Sequence, residues 1–304
     1  MIALCTIPVL ADCGRRDAMA MKRLDLLAVD GTDSFPADYH PGVEAWMRFC
    51  GRQGADVDSF WNGYARSKAV EVFSPDVKER IEAEIPEIEE EIGAVKARMA
   101  QLYPEVRFPA EVYALVSPYS QSIMVADSVM LIALNHYLGG EYEGYEGMPA
   151  EQRALKNAAN IPADVAEALI RAAYPFGGDE WSPLCAKMLY EGAVAVALKR
   201  VAHASGALAA GVSDENFEIL EDNEENIWRS LVEGGELFST SPRVADELLK
   251  PYPSRKYPAR AGRYIGWRMA ESAIKKGVSP AALLSADFYL SDNALAKTGY
   301  SPLK

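Results

Sequence analysis

The stretch PAEVYALVSPYSQSIMVADSVMLIAL, residues 109–134, differs in hydrophobic pattern from the rest of the chain. It contains short β-branched and aromatic runs, EVYALV, SIMVA and SVMLIAL, which are separated by Ser-Pro and Asp-Ser. Runs of this length, bounded by turn-forming residues, are typical of β-strands. The stretch therefore predicts two or three strands of one small sheet, joined by tight connections.

The segments on both sides of this sheet have helical periodicity. Before it, apolar residues recur every three or four positions and predict one apolar helix stripe; they are Ile85, Ile88, Ile92, Val95, Met99 and Leu102. The acidic run 87–91 is interpreted as the solvated face of that helix. After residue 150 helices return, among them 161–174, a strongly apolar one from Pro183, and 258–277. We predict an α+β fold, predominantly α-helical, with one small β-sheet.

Charge and the common motifs exclude several classes of protein. The net charge of −13 argues against nucleic acid, which is bound through clustered Lys and Arg. The four cysteines form no CxxC, and no two of the three histidines lie four residues apart. Phosphate-binding glycine loops and the G-x-S-x-G elbow are absent, and no histidine stands out as a catalytic base. We expect Cys185 to be a small core residue in its apolar helix.

The N-terminal stretch MIALCTIPVLADCGRR resembles a bacterial lipoprotein signal, in which Cys13 would carry the lipid. Its apolar run is too short to span a membrane. No basic residue precedes that run, and Asp12 occupies a position where a small residue is expected, so a processed or frayed terminus is the alternative. On this interpretation residues 1–20 are a tether, and residues 21–304 form a single domain held at a membrane.

Three carboxylates could form a site. Asp164 and Glu167 lie three residues apart and share one face of a helix that begins near Pro162. Glu191 follows on the next, mostly apolar helix, where a buried acid needs a partner. Lys187, Arg260 and Arg263 are candidates for that partner. Either these acids serve as a helix-start acid and a structural hydrogen-bonding glutamate, or they cluster to hold a hard cation such as Ca²⁺ or Mg²⁺.

Several spaced segments resemble the GldB family of gliding-motility lipoproteins. They are YLGGEYEGY (137–145), YEG (190–192), ELFSTSPR (236–243) and GRYIGW (262–267), within a resemblance that covers residues 22–303. The resemblance implies a lipid on Cys13 and a location in the cell envelope, facing the periplasm. It also implies other envelope proteins of the motility machinery, and of an associated secretion system, as partners.

The GldB family in turn looks like a divergent relative of zincin metallopeptidases. In that comparison the zinc helix falls at residues 163–167, with Ala163 and Glu167 matching two histidine ligands and Asp164 matching the catalytic acid. Glu191 matches the third ligand. Working zincins need two imidazoles to bind zinc. The resemblance therefore implies a zincin-like scaffold without a cofactor and without the peptidase, on which Asp164, Glu167 and Glu191 would at most hold Ca²⁺ or Mg²⁺.

The resulting hypothesis is a non-catalytic binding or structural component of the motility machinery. The alternative is a carboxylate-based hydrolase or peptidase that uses Asp164 or Glu167 as general base. GRYIGW also has two interpretations. Its glycines and aromatic residues suit close helix packing, whereas in a zincin-like cleft Arg263 or Tyr264 would line the groove.

Overall fold

The computed structural model describes residues 18–31 and 35–302, so the lipidation predicted at Cys13 lies outside the described residues. The four strands of its sheet are β1 (Met21–Arg23), β2 (Glu111–Leu115), β3 (Ile123–Ala126) and β4 (Val129–Ala133). They lie in the order β1-β2-β4-β3. The β1–β2 and β2–β4 pairs are parallel, and β3 forms an antiparallel edge on β4.

Helices cover both faces of this sheet. Those before β2 are α1 (Leu24–Val29), α2 (His40–Phe49), α3 (Val57–Ala65), α4 (Lys68–Arg80) and α5 (Ile85–Leu102). Those after β4 are α6 (Ala150–Arg153), α7 (Ile161–Ala173), α8 (Leu184–Val201), α9 (Gly206–Ala210), α10 (Asp214–Asp222), α11 (Glu224–Glu233), α12 (Pro242–Leu249), α13 (Ala261–Lys275), α14 (Pro280–Leu283), α15 (Ala286–Tyr289) and α16 (Ala294–Thr298). The predicted α+β class with one small sheet is therefore confirmed.

Each face of the sheet packs against a separate apolar core. Along β2, Val112 and Ala114 point into the larger core, which contains α5, α7, α8 and α13, while Tyr113 and Leu115 point into a smaller one. The smaller core is formed with α1 to α4. Because successive side chains of a strand alternate between faces, a strand buried on both sides reads as a continuous apolar run. This explains the runs found in residues 109–134.

Most predicted helices are present, and the differences occur at their ends. Helices α3 and α4 are separated at Ser67, whose hydroxyl caps α4, and α4 then runs through Pro75. Pro183, where the apolar helix was predicted to begin, occupies the N-cap of α8. Ser213 caps α10, because its hydroxyl accepts a hydrogen bond of 3.1 Å from the Asn216 amide. The predicted stripe on α5 is buried from Ile85 to Met99.

Helices α8 and α13 cross at two glycines. A Cβ added to Gly266 would lie 1.7 Å from the carbonyl oxygen of Met188, and one added to Gly192 would lie 2.0 Å from the Gly266 carbonyl carbon. Only a residue without a side chain fits such a contact between backbones. The packing role predicted for Gly266 in GRYIGW therefore follows from this crossing, which also fixes how Glu191 and Arg263 face each other.

Candidate functional site

Three helices bring the predicted site residues together. Pro162 lies in the first turn of α7, where its missing N–H costs nothing, and Asp164 and Glu167 follow on the same helix. Glu191 lies on α8, which packs on α7, and Arg263 lies on α13, which packs on α8. The side chains therefore converge where these three helices meet.

The Arg263 guanidinium is the centre of this site. Its side chain is only 2% exposed. It donates from Nη1 and Nη2 to the two oxygens of Glu167, at 2.9 Å each, and from Nη1 to Glu191 at 3.2 Å. Its Nε donates to the carbonyl oxygen of Ala209 at 2.8 Å. Each nitrogen of the guanidinium thus has an acceptor, and the geometry to Glu167 is the bidentate one that stabilises such pairs.

Arg171 closes the network from the solvent side. It donates from Nε and Nη2 to Glu167 Oε1 at 2.9 and 2.7 Å. It also donates from Nη1 and Nη2 to the two oxygens of Glu191, at 2.8 and 2.7 Å. Together with Arg263 it forms a four-residue network of alternating charge, hereafter the Glu167–Arg263 network: Glu167, Arg171, Glu191 and Arg263. Both carboxylates are therefore engaged by two guanidinium groups.

This arrangement keeps both glutamates ionised. Burial alone raises the pKa of Glu167, but Arg263 and then Arg171 outweigh that effect and hold the pKa well below its usual range. Burial likewise opposes ionisation of Glu191, whereas Arg171 and Arg263 lower its pKa. Both glutamates are thus held as anions beside two guanidinium groups.

Asp164 makes its hydrogen bond outside the network. Its carboxylate accepts a hydrogen bond of 2.7 Å from the hydroxyl of Tyr137, a buried residue that follows β4. Burial raises the pKa of Asp164 to about 6, although the Tyr137 hydrogen bond acts in the opposite direction. Of the three predicted acids, the structure joins Glu167 and Glu191 through two arginines and gives Asp164 a tyrosine partner.

A third arginine lies beside the network and has no carboxylate partner among residues 18–31 and 35–302. Arg260 precedes α13 in a left-handed conformation, with φ of 50°, and its buried Nε has no hydrogen-bond acceptor among the described residues. Its side chain packs over Gly211, where a Cβ would lie 3.1 Å from that Nε. Burial, followed by the charge of Arg263, lowers the pKa of Arg260 to about 10. Of the three predicted partners of Glu191, Arg263 therefore donates to it, whereas Arg260 and Lys187 form no hydrogen bond or ion pair with it in the described part of the chain.

The side chains of this site do not provide the ligands that a metal ion needs. Among residues 18–31 and 35–302, no three Asp, Glu, His or Cys side chains are arranged so that they could hold a metal ion. A Ca²⁺ or Mg²⁺ ion needs free carboxylate or carbonyl oxygens. Both oxygens of Glu167 and both of Glu191 accept hydrogen bonds from guanidinium nitrogens. These residues do not fit a resident cation.

Tyr264 belongs to a neighbouring contact. It is buried, and its hydroxyl donates to Glu224 at 2.8 Å, while its ring meets those of Phe217 and Trp267 edge-on. Phe217 also stacks on Trp267. The packing role expected for Tyr264 and Trp267 is consistent with these contacts.

An open cleft of about 620 Å³ adjoins the solvent side of the network. Arg171 and Glu191 form part of its wall, together with Phe176, Lys187 and Tyr190. Trp181, which is 59% exposed, follows two further wall residues, Asp179 and Glu180. The cleft thus combines aromatic surface with charges of both signs.

Sequence reasoning missed Arg171. It lies four residues after Glu167, the spacing at which a glutamate and an arginine meet on one helix face. This spacing was available in the printed sequence. The bidentate contact with Glu191 depends on the packing of α7 against α8 and could not have been derived from spacing alone.

The chain is similar to a known protein family over most of its length. The family model described as "Gliding motility protein GldB" matches residues 31–302. No curated protein matches the chain, and no solved structure does. Within the part of the chain that the structure describes, no helix is both long enough and apolar enough to cross a membrane.

Proposed function

Because the chain belongs to the GldB family of gliding motility proteins, we propose that it acts as a non-catalytic binding component of the cell-envelope motility machinery. The observation that carries this proposal is the Glu167–Arg263 network. Glu167 and Glu191, which match two zinc ligands, are committed to holding three helices together. Their carboxylates are therefore not free to bind a metal ion.

We also propose that the scaffold is zincin-like. Support comes from α7, which packs against the edge strand β3 and against α8. Glu167 and Glu191, which match the second and third zinc ligands, approach each other closely enough to share Arg263 and Arg171. The guanidinium of Arg263 thus replaces the metal as the cation between two ligand positions. On this proposal the chain holds no resident metal.

The proposed binding surface is the cleft beside the network. Lys187 and Tyr190 lie on a wall formed by α7 and α8, which bidentate ion pairs hold in place. Because this wall is already ordered, a partner that binds it loses little free energy to ordering these side chains. Exposed aromatic residues such as Trp181 are enriched at protein interfaces. We propose that another envelope protein of the motility machinery occupies this cleft, with an associated secretion system as a second source of partners.

Two measurements test the absence of metal. Protein purified without chelator is analysed by inductively coupled plasma mass spectrometry, and we expect well below one equivalent of zinc, calcium or magnesium. Calorimetric titration with each ion should likewise show no saturable site that is lost in Glu167→Gln. Stoichiometric metal that depends on Glu167 would overturn the proposal in favour of a carboxylate-based hydrolase.

The cleft is tested by a photo-crosslinking amino acid placed at position 187 in the native host. A matched variant carries it at the exposed position 275, which does not line the cleft. We expect crosslinks to an envelope protein from position 187 only, and loss of the cellular function in Lys187→Glu at a normal protein level. Equal crosslinking from both positions, or full function of Lys187→Glu, argues against the cleft as the binding surface.

We further propose that a lipid on Cys13 holds the protein at the envelope membrane, facing the periplasm. A single lipid chain binds a membrane weakly, so a bacterial lipoprotein anchor with several acyl chains is the form expected. Mass spectrometry of the N-terminal peptide from protein made in its own host should show acylated Cys13. An unmodified cysteine there contradicts the anchor and leaves the binding proposal untouched.

A further inference from the structure

A second polar cluster lies at the end of the β3–β4 hairpin. The hydroxyl of Ser122 lies 3.1 Å from Nδ1 of His136 and 3.3 Å from Nζ of Lys156. The hydroxyl of Tyr137, which donates to Asp164, also interacts with the Ser122 side chain. One serine hydroxyl is therefore surrounded by an imidazole, an ammonium group and a phenol.

The hairpin geometry explains how this cluster forms. Ser122 immediately precedes β3, and its carbonyl oxygen accepts a hydrogen bond of 2.9 Å from the Ala133 amide at the end of β4. His136 lies three residues beyond Ala133, in a 3₁₀ turn that continues β4. The serine and the histidine, fourteen residues apart in sequence, are thus held together by backbone pairing and not by side-chain contacts alone.

His136 is placed as a proton acceptor. It is buried, and burial followed by the charge of Lys156 lowers its pKa to about 4, so its ring is neutral at neutral pH and a weaker base than a free imidazole. The Tyr119 backbone also interacts with the imidazole. With the ring proton on Nε2, Nδ1 is free to accept the proton of the Ser122 hydroxyl.

Lys156 supplies a positive charge beside the same hydroxyl. Among the residues that the structure describes, it has no carboxylate within salt-bridge distance, and its Nζ lies 5.8 Å from the ring centre of Tyr137. Burial lowers its pKa, because the ammonium group is less strongly hydrated than that of a surface lysine. A cation at this position would stabilise negative charge that develops on an oxygen near Ser122.

From this geometry we propose that Ser122 is a nucleophile for acyl esters, with His136 as its general base and Lys156 as the oxyanion-stabilising cation. Ser122 and Lys156 are half-buried, whereas His136 is buried. This activity is additional to the binding role proposed above: that role is non-catalytic at Glu167 and Glu191, and the Ser122 site uses neither residue.

The reaction follows from the positions of these groups. Ser122 Oγ forms a bond to the acyl carbon of the ester while its proton passes to Nδ1 of His136. The bond between the acyl carbon and the alcohol oxygen then breaks, and the alcohol leaves with the proton from His136. Water hydrolyses the acyl-Ser122 ester in the reverse sense, and His136 again accepts and returns the proton. No oxidant, metal or cofactor takes part.

The test uses a fluorophosphonate probe on the purified full chain, which reports nucleophilicity without requiring the natural ester. Ser122 Oγ would form a bond to phosphorus as fluoride leaves, and the proton would pass to His136. Peptide mass spectrometry should place the adduct on Ser122. We expect no labelling in Ser122→Ala, full labelling in Ser120→Ala on the same exposed loop, and none after denaturation.

A second set of variants tests whether Ser122 reacts because His136 acts as its base or only because its hydroxyl is exposed. General-base catalysis contributes about 10²–10⁴-fold, so His136→Gln should slow labelling at Ser122 by at least about 100-fold while circular dichroism shows a folded protein. Lys156→Gln, at a partly exposed position, should slow it by a smaller factor. An unlabelled Ser122 in wild-type protein, alongside a serine hydrolase that labels, would overturn the proposal. So would equal labelling rates in folded wild-type and His136→Gln proteins.

Discussion

The guanidinium of Arg263 donates to both carboxylate oxygens of Glu167 at 2.9 Å, across 96 residues of sequence. The contact joins α13 to α7, and through Glu191 it includes α8 as well. A buried charge pair of this kind is costly to break, because the remaining partner keeps its charge without a counter-ion. The stability of the three-helix junction should therefore depend on this pair.

Glu167→Gln should destabilise the protein by about 3 kcal/mol, because it leaves Arg263 buried with reduced compensation. Urea unfolding followed by circular dichroism measures the loss. Glu87→Gln, at an exposed position on α5, serves as the control and should change the unfolding free energy by less than about 0.5 kcal/mol. A loss no larger than that of the control would show that the network does not support the junction.

Replacing both partners should cost less than the sum of the two single changes. The double variant Glu167→Met/Arg263→Met removes both charges of the pair, so neither is left buried without a partner. Arg171 still donates to Glu191 in this variant. A double-mutant cycle should give a coupling energy of about 1–3 kcal/mol, as is found for residues in one ion-pair network. Additive single effects would contradict a direct interaction.

Gly266→Ala should separate α8 from α13. Its Cβ would lie 1.7 Å from the Met188 carbonyl oxygen, so the helices would have to move apart, at a cost of about 3 kcal/mol or more. Gly63→Ala is a matched control, since Gly63 is also helical and no atom outside its own helix lies within 4 Å of the added Cβ. That change should be neutral or stabilise by up to about 1 kcal/mol. Thermal unfolding of both variants measures the difference, and equal melting temperatures would contradict the crossing.

Asp164→Asn should become more stabilising as the pH rises. Since burial raises the pKa of Asp164 from 3.8 to about 6, the folded protein holds a proton that the unfolded chain has released between these values. The contribution of Asp164 to stability is therefore present in full below about pH 4 and is lost as the pH rises through 6. Asparagine carries no charge and can still accept the Tyr137 hydrogen bond.

The unfolding free energy of Asp164→Asn relative to wild type should thus increase by up to about 3 kcal/mol between pH 4 and pH 7.5. The lowered pKa values of Glu167 and Glu191 have the opposite pH dependence, but they are present in both proteins and cancel in the comparison. A difference that stays constant with pH would show that Asp164 titrates normally.

The sheet and the larger helices could be predicted because their signals are local. Strands β2 to β4 are buried on one or both faces and read as apolar runs, and the α5 stripe has the helical period. Strand β1 was missed, since Met21–Arg23 contains only three residues with one apolar side chain. Its conformation is set by parallel pairing with β2, which lies 91 residues further along the chain.

The candidate site could likewise be predicted only where its signals are local in the sequence. Asp164 and Glu167 were found from their spacing on one helix, whereas the contacts of Arg263 depend on how α13 crosses α8. Ser122 and His136 carry no recognisable motif. Their proximity is a consequence of the β3–β4 register, which the sequence does not display directly.

The central claim is that Glu167 has a structural role and no catalytic one. Complementation of a deletion strain by Glu167→Gln, with immunoblots used to match its protein level to wild type, tests this most directly. We predict that the variant restores the cellular function fully once its level is matched, because the Glu167 carboxylate contributes stability alone. A folded Glu167→Gln protein that is present at the wild-type level and yet restores nothing would contradict the account.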